Sequence, residues 1–405
     1  MSVKNPLKEV RVAFIGCGVI SHSHMRSYVK MPNVKVVAAC DIDKPRLDAW
    51  CEQYGVPEDA RYTNYEEMLK RDDIDSVDVC VHNNLHLPMV LAALRSGRHC
   101  FCEKPIAASY VDAKRMYDVW QELKKETGVE LAVQIGTVFS AQTRNAKKMV
   151  QNGDLGHVYY VRCLGHRRRN RPGLDSDLSV NFYNKELAGH GATFDMGVYH
   201  IGQMLYILGL PKLERVVGKC YLEPPRNEKL LEGREFGVED LGLAFATFEN
   251  GLTFEFMESW ALNVDEVGDS FIAGSKGGLR FTSRPGSPFN PMPQPDLKLI
   301  TTVNDQDIDV DLRVSDYENV FYENKLDPDT RFTGNFEHWI AYLTGQIDER
   351  IDTALITLNT AFLSEGIFLS SELGREVKAD EIEALSVSNA LKKQETEWGT
   401  FEYTL

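Results

Sequence analysis

The chain has 405 residues, 43% of them hydrophobic and 26% charged, and a formal net charge of −15. At roughly 100–200 residues per domain this length predicts two or three domains, and the ordinary composition excludes a mainly disordered, collagenous or coiled-coil protein. With 60 acidic against 45 basic side chains, an extended contact with a phosphate backbone is excluded, so no nucleic-acid partner is expected.

Strand-like runs at 10–16, 34–40, 76–82, 99–103 and 130–136 are apolar on both faces, as strands buried in a parallel sheet are. Helical segments at 20–31, 45–54, 87–96 and 110–127 lie between them. This alternation predicts βαβ units in a doubly wound sheet over residues 1–136. The first strand ends in Gly16, Cys17, Gly18, Val19, Ile20 and Ser21 and runs straight into a helix. Two glycines at that spacing allow a tight turn and a close approach of Gly16, Gly18, Val19 and Ile20 to a pyrophosphate on the helix N-terminus. The second strand ends at Asp41, whose carboxylate suits the two hydroxyls of an adenosine ribose and repels a 2′-phosphate. NAD is therefore the expected cofactor, with NADP as the alternative.

Beyond 136 the pattern changes to short strands and hairpins. A strand is predicted at 158–164, and Asn250-Gly251 joins runs 244–248 and 252–257, a strong hairpin signal. Further hairpins are predicted about Lys276-Gly277-Gly278 and about 304–307, a structured loop over the proline-dense 285–295, and closing helices at 336–343 and 353–373. Asp352 and Gly374 supply the cap and stop of the last helix. The fold class is α/β: an N-terminal Rossmann doubly wound parallel sheet, followed over 137–405 by an α+β domain with a large, mostly antiparallel open sheet for substrate binding and oligomerisation. No stretch approaches the ~18–20 apolar residues of a membrane span. The first six residues hold no apolar signal core, so a cytoplasmic protein without membrane contact is expected. Cysteines such as Cys17, Cys40, Cys80 and Cys163 sit in apolar runs as reduced small hydrophobes.

Chemistry-bearing residues gather just past the ends of the predicted strands, where open parallel sheets bind ligands. His82, Asn83 and His86 follow one strand, and Glu103, Lys104 and Pro105 follow the next. Together with Gly16-x-Gly18 and His24, these motifs resemble the Gfo/Idh/MocA oxidoreductase family, which includes glucose–fructose oxidoreductase and inositol dehydrogenase. A second match runs from Gly189 through His190, Gly191 and Asp195 to Tyr199 and His200, and the resemblance extends over about 10–378. The family's usual Thr-Pro before the asparagine is Val81-His82 here. The resemblance implies that Lys104 reaches the nicotinamide and the reacting hydroxyl, and that Pro105 follows a cis bond. It implies that Asp195 and Tyr199 complete the catalytic set, with the glycines letting backbone approach substrate. It also implies homodimers or homotetramers through the open sheet.

In a regular helix after the glycine stretch, Asp195 and Tyr199 share a face at i and i+4, while His200 points about 100° away and matters only if the helix start is distorted. The expected cofactor contacts are Gly16, Gly18, Val19, Ile20, Asp41, His82, Asn83, His86, Glu103 and Lys104. Those to substrate are Lys104, Arg168, Asp195, Tyr199 and His200, with no metal. Arg168 stands for the basic run of Arg167, Arg168, Arg169 and Arg171, which is conspicuous against the acidic background. The expected reaction is NAD-linked oxidation of a secondary alcohol of a sugar or cyclic polyol. Lys104 serves as base if burial depresses its pKa, and Tyr199 donates or relays a proton. Two other readings fit the same motifs: an NAD-dependent glycosidase that retains its cofactor, and a non-catalytic sugar or dinucleotide sensor.

Overall fold

A computed structural model describes residues 6–176, 180–225, 228–231, 235–285, 292–316, 334–396 and 399–405. Six strands form the first sheet: β1 (Val10–Ile15), β2 (Val34–Cys40), β3 (Arg61–Tyr62), β4 (Ser76–Val79), β5 (His99–Cys102) and β6 (Leu131–Val133). They are parallel throughout, in the order β3-β2-β1-β4-β5-β6. This is the doubly wound order whose switch point, between β1 and β4, opens a ligand crevice at the strands' C-terminal ends. The two-residue β3 escapes sequence reading because so short a run has no periodicity.

The helix expected from residue 87 begins instead at Asn83 and runs to Arg95 with Pro88 inside it. A proline lacks the N–H that would reach the carbonyl four residues back. Here that carbonyl, of Asn84, accepts the Leu391 N–H at 2.9 Å, so the helix continues through the proline with its lost bond replaced.

The second sheet holds β7 (Val158–His166), β8 (Leu213–Tyr221), β9 (Leu241–Phe248), β10 (Thr253–Ser259), β11 (Phe271–Gly274), β12 (Gly277–Arg284), β13 (Gln294–Val303), β14 (Gln306–Leu312) and β15 (Val377–Lys378). Its order is β14-β13-β12-β11-β7-β10-β9-β8-β15, antiparallel except where β7 pairs β10. The three hairpins lie where turn residues placed them. Asn250 and Gly251 both take positive φ (63° and 74°), as do Asn304 and Asp305 (50° and 58°), the geometry that matches strand twist. Of the proline-dense stretch, 286–291 lies outside the described residues, and Pro295 is inside β13 opposite Ser283.

Helices Gly197–Ile207 and Thr353–Leu373 cover one face of this sheet, while Val217 and Phe245 stand exposed on strands β8 and β9. Asp352 accepts the Leu355 N–H and Gly374 ends the long helix in a left-handed turn. That helix is long and apolar enough on composition to cross a membrane, contrary to the sequence reading. It is a core element here, with 78% of its most apolar window buried. The chain returns to the first sheet late: Phe336, in the helix Asn335–Leu343, packs against Phe101 and His24 at 4.9 and 4.7 Å between ring centroids.

Candidate active site

The loop after β1 is shaped by contact between backbones. Gly16 has φ 95°, and a Cβ there would lie 2.2 Å from the Cys80 carbonyl oxygen. At Gly18 a Cβ would project into open space, and the helix Val19–Tyr28 starts with no capping side chain. Val19 and Ile20 are exposed at 76% and 42%. An uncapped first turn below an open space fits the pyrophosphate of a dinucleotide. Ser21, third in the glycine pattern, donates its hydroxyl to the Gly18 carbonyl at 2.6 Å and is fully buried.

Asp41 braces this loop. Its Oδ2 accepts the Cys17 N–H at 2.8 Å and its Oδ1 the Asp43 N–H at 2.9 Å, with the Arg46 guanidinium 3.6 Å away. A carboxylate has about four acceptor sites, so two hydroxyls still fit beside these bonds.

The neighbours past β4 turn more to protein than expected. His82 Nε2 lies 3.1 Å from the Asn181 amide nitrogen. An amide nitrogen only donates, so Nε2 is the acceptor. Burial, helped by Arg46, lowers the His82 pKa and keeps the ring neutral. Asn83 donates to the Ala188 carbonyl at 2.9 Å, stitching the first sheet to the helix Lys185–Ala188. His86 donates from Nδ1 to the Pro105 carbonyl at 2.7 Å, with Nε2 3.2 Å from the Val81 carbonyl. The cofactor contact expected of His86 is corrected on this geometry: its ring is fully buried and both nitrogens face backbone, so it holds the Lys104–Pro105 turn.

That turn carries the centre of the site. The Lys104–Pro105 peptide is cis. Glu103 is buried, accepts the Lys104 N–H through Oε2 at 2.9 Å, and faces His24 Nε2 through Oε1 at 2.7 Å. His24 Nδ1 meets both oxygens of the fully buried Asp78 at 2.9 and 3.0 Å. A ring with a carboxylate on each nitrogen is an imidazolium. Burial alone would lower its pKa, but Asp78 holds it well above the usual value. Burial would likewise raise Glu103, and the His24 hydrogen bond outweighs that and holds it low. His24, Asp78 and Cys80 bring three metal-donor types together, closed on one another by these contacts.

Lys104 Nζ donates to Asp195 Oδ1 at 2.6 Å and to the Asp195 carbonyl at 3.1 Å, and lies 5.0 Å from the centre of the Tyr199 ring. The depressed pKa expected of Lys104 is corrected: burial pulls it down, but the Asp195 carboxylate outweighs burial and raises it. Tyr199 presents its ring face to the ammonium, a cation–π contact, and burial raises its own pKa.

The single helix expected over this segment is broken. Ala192–Asp195 and Gly197–Ile207 are separate helices, joined at Met196 with φ −101° and ψ −35°. The glycines before it serve backbone packing within the protein: a Cβ on Gly191 would lie 1.9 Å from the Glu239 carbonyl. Asp195 Oδ2 accepts from the indole of Trp260 at 3.1 Å, and Trp260 is fully buried just after β10. No local pattern marks Trp260 for this role, because its partner lies 65 residues away.

His200 Nδ1 is 2.6 Å from Glu258 Oε2, and Glu258, on β10, is 1% exposed. Gly165, its cross-strand neighbour on β7, leaves room for that carboxylate, since a Cβ there would sit 2.2 Å from both oxygens. The arginine run divides. Arg171 is buried and held by Asp175 and the Pro224 and Pro225 carbonyls; Arg169 pairs with Asp175. Arg168, the sequence-based candidate, is exposed. Arg167 reaches the break between the two helices, with Nη2 3.1 Å from Met196 Sδ.

A doubly wound sheet with an open glycine turn after β1, and past β5 of the same sheet a lysine paired to an aspartate of the α+β part, fits a dinucleotide-binding oxidoreductase. Residues 10–131 match the GFO_IDH_MocA family, described as an oxidoreductase family with an NAD-binding Rossmann fold, and residues 143–280 match the GFO/IDH/MocA C-terminal domain. The chain belongs to this family. It is 30% identical over 277 residues to D-glucoside 3-dehydrogenase of Escherichia coli K12, covering 66% of this chain and 76% of that protein. It is 28% identical over 155 residues to inositol 2-dehydrogenase of Salmonella paratyphi B, covering 38% and 44%. Levoglucosan dehydrogenase, solved in complex with NADH and L-sorbose, shares the fold with a TM-score of 0.72 at 18% identity, over 92% of this chain and 99% of that one.

Proposed function

We propose that the protein is an NAD-dependent dehydrogenase that oxidises a secondary alcohol of a sugar or polyol, with Lys104, Asp195 and Tyr199 as the catalytic set. The observation that carries this reading is Lys104 at the C-terminal edge of β5, ion-paired to Asp195 at 2.6 Å and stacked against Tyr199. When bound, NAD supplies the hydride acceptor. Every proton step belongs to the chain. As an ammonium, Lys104 donates a hydrogen bond to the oxygen on the reacting carbon and delivers a proton to it in the reducing direction. In the oxidising direction it takes the hydroxyl proton only after losing its own, so oxidation is expected to quicken as pH rises. Asp195, fixed by Trp260, sets where the ammonium sits, and Tyr199 lines the same space.

The Asp41 carboxylate beside the glycine loop supports NAD over NADP. The relatives named for glucoside and inositol oxidation support pyranosides and cyclitols as the first substrates to try. The exposed strand residues Val217 and Phe245 support a second copy of the chain as the cover of the open sheet. The test is cofactor reduction with NAD and with NADP across methyl glycosides, free sugars and inositols. NADH formation with at least one of them is expected, with NAD preferred. Glycoside cleavage without net NADH, or binding of sugar without any reaction, would overturn it.

A further inference from the structure

A second polar cluster adjoins the Lys104–Asp195 pair and takes no part in the proton chemistry above. His200 is held through Nδ1 by the buried Glu258, a carboxylate that Gly165 makes room for. The rest of its ring is open: the side chain is 31% exposed, against 1% for Glu258. Arg167, at the end of the neighbouring strand run, places one of its five N–H donors on a thioether, a weak acceptor. No carboxylate pairs with this guanidinium among the described residues. Three arginines of the run can be compared directly. Arg171 and Arg169 both pair with Asp175, with Asp240 also 3.8 Å from Arg171, and Arg168 is exposed, whereas Arg167 alone reaches the helix break one residue from Asp195.

His200 and Arg167 are neighbours, close enough for the Arg167 charge to act on the ring. Glu258 outweighs burial and raises the His200 pKa, while the Arg167 charge opposes it. Glu258 is committed to His200, so no carboxylate of the cluster is left for the Arg167 guanidinium. A guanidinium with free parallel N–H groups is shaped to take a carboxylate in a fork.

We infer that Arg167 and the outward edge of His200 form a subsite for a carboxylate on the substrate, so that the preferred substrates are sugar acids such as uronates. This rests on the proposed dehydrogenase reading and names its substrate class. The buried Glu258 fixes the His200 ring plane, and the Met196 thioether fixes the guanidinium. Arg167 touches Met196 and His200 follows Tyr199, so both donors stand beside residues of the Lys104 site, within reach of a substrate whose hydroxyl lies at Lys104.

The test is calorimetric titration of the full-length protein, saturated with NADH, with D-glucuronate and with D-glucose. Binding of glucuronate about 10–100-fold tighter than glucose is expected, the range of one charge-assisted hydrogen-bond pair. Arg167→Met is expected to abolish that preference while leaving NADH affinity unchanged. Arg167→Lys, which keeps the charge and loses the fork, is expected to retain part of it. Equal affinities for the two sugars, or a preference that survives in Arg167→Met, would overturn the inference. Should NADH itself fail to bind, the dinucleotide reading falls instead, and the same titration on the free protein still decides the subsite.

Discussion

His24 and His200 both sit against buried carboxylates, and they differ in what the second nitrogen meets. His24 has Asp78 on one side and Glu103 on the other, all three buried. His200 has Glu258 on one side and an opening on the other. In the sealed cluster one imidazolium bridges two carboxylates and, through Glu103, fixes the backbone from which Lys104 projects. The open pair keeps a donor available to a ligand. The same two side-chain types thus serve position in one place and recognition in the other, and access decides which.

The largest expected effect breaks the sealed pair. His24→Leu leaves Asp78 and Glu103 as buried carboxylates without their cation, which costs ~3–5 kcal/mol by denaturant unfolding. A loss below ~1 kcal/mol would mean that His24 is not the charge that holds them. The pH dependence follows from the directions of the shifts. The folded pKa of His24 lies above its usual 6.5, so its contribution is full below that pH and is lost as pH rises through the folded value. Glu103 lies below its usual 4.5, so its contribution is present above that and is lost as pH falls through its folded value. The stability gap between wild type and His24→Leu is therefore widest between 4.5 and 6.5 and narrows above.

A smaller effect is expected at the link between the two regions. Trp260→Phe keeps the ring in the core but removes the donor to Asp195, a hydrogen bond to a charged group worth ~1.5–3 kcal/mol. Turnover is expected to fall about 10–100-fold with NADH affinity unchanged. An equal fall in NADH affinity would place Trp260 in the cofactor site. The smallest stability effect is expected at the open pair. His200→Gln can still donate to Glu258, so a cost of about 1 kcal/mol is expected. A cost equal to that of His24→Leu would erase the distinction between the two pairs.

The dinucleotide half was largely legible in the sequence because its signals are local: double-faced apolar runs, Gly16-x-Gly18, and Asp41 at the end of β2. Its errors are local too, at Pro88, whose lost bond is replaced by a residue far along the chain, and at the two-residue β3. Lys104 stood out by its place past a strand end, whereas Asp195 and Tyr199 in the second half were singled out only through resemblance. Glu258 and Trp260 carried no signal, since their approach to His200 and Asp195 depends on the pairing of β7 with β10 and on helices that break at Met196. The run from Arg167 to Arg171 was visible as charge. Which arginine is free depends on Asp175 and two proline carbonyls, a matter of folding and not of composition.

The central claim is that Lys104 handles the proton at the reacting carbon and is not needed to hold the cofactor. Its most direct test compares wild type and Lys104→Met on one confirmed substrate, measuring turnover and NADH affinity in parallel. The account predicts turnover down ~10²–10⁴-fold, the usual contribution of a positioned acid–base group, with NADH affinity nearly unchanged. Near-wild-type turnover, or a loss of NADH affinity that accounts for the whole fall, would contradict it.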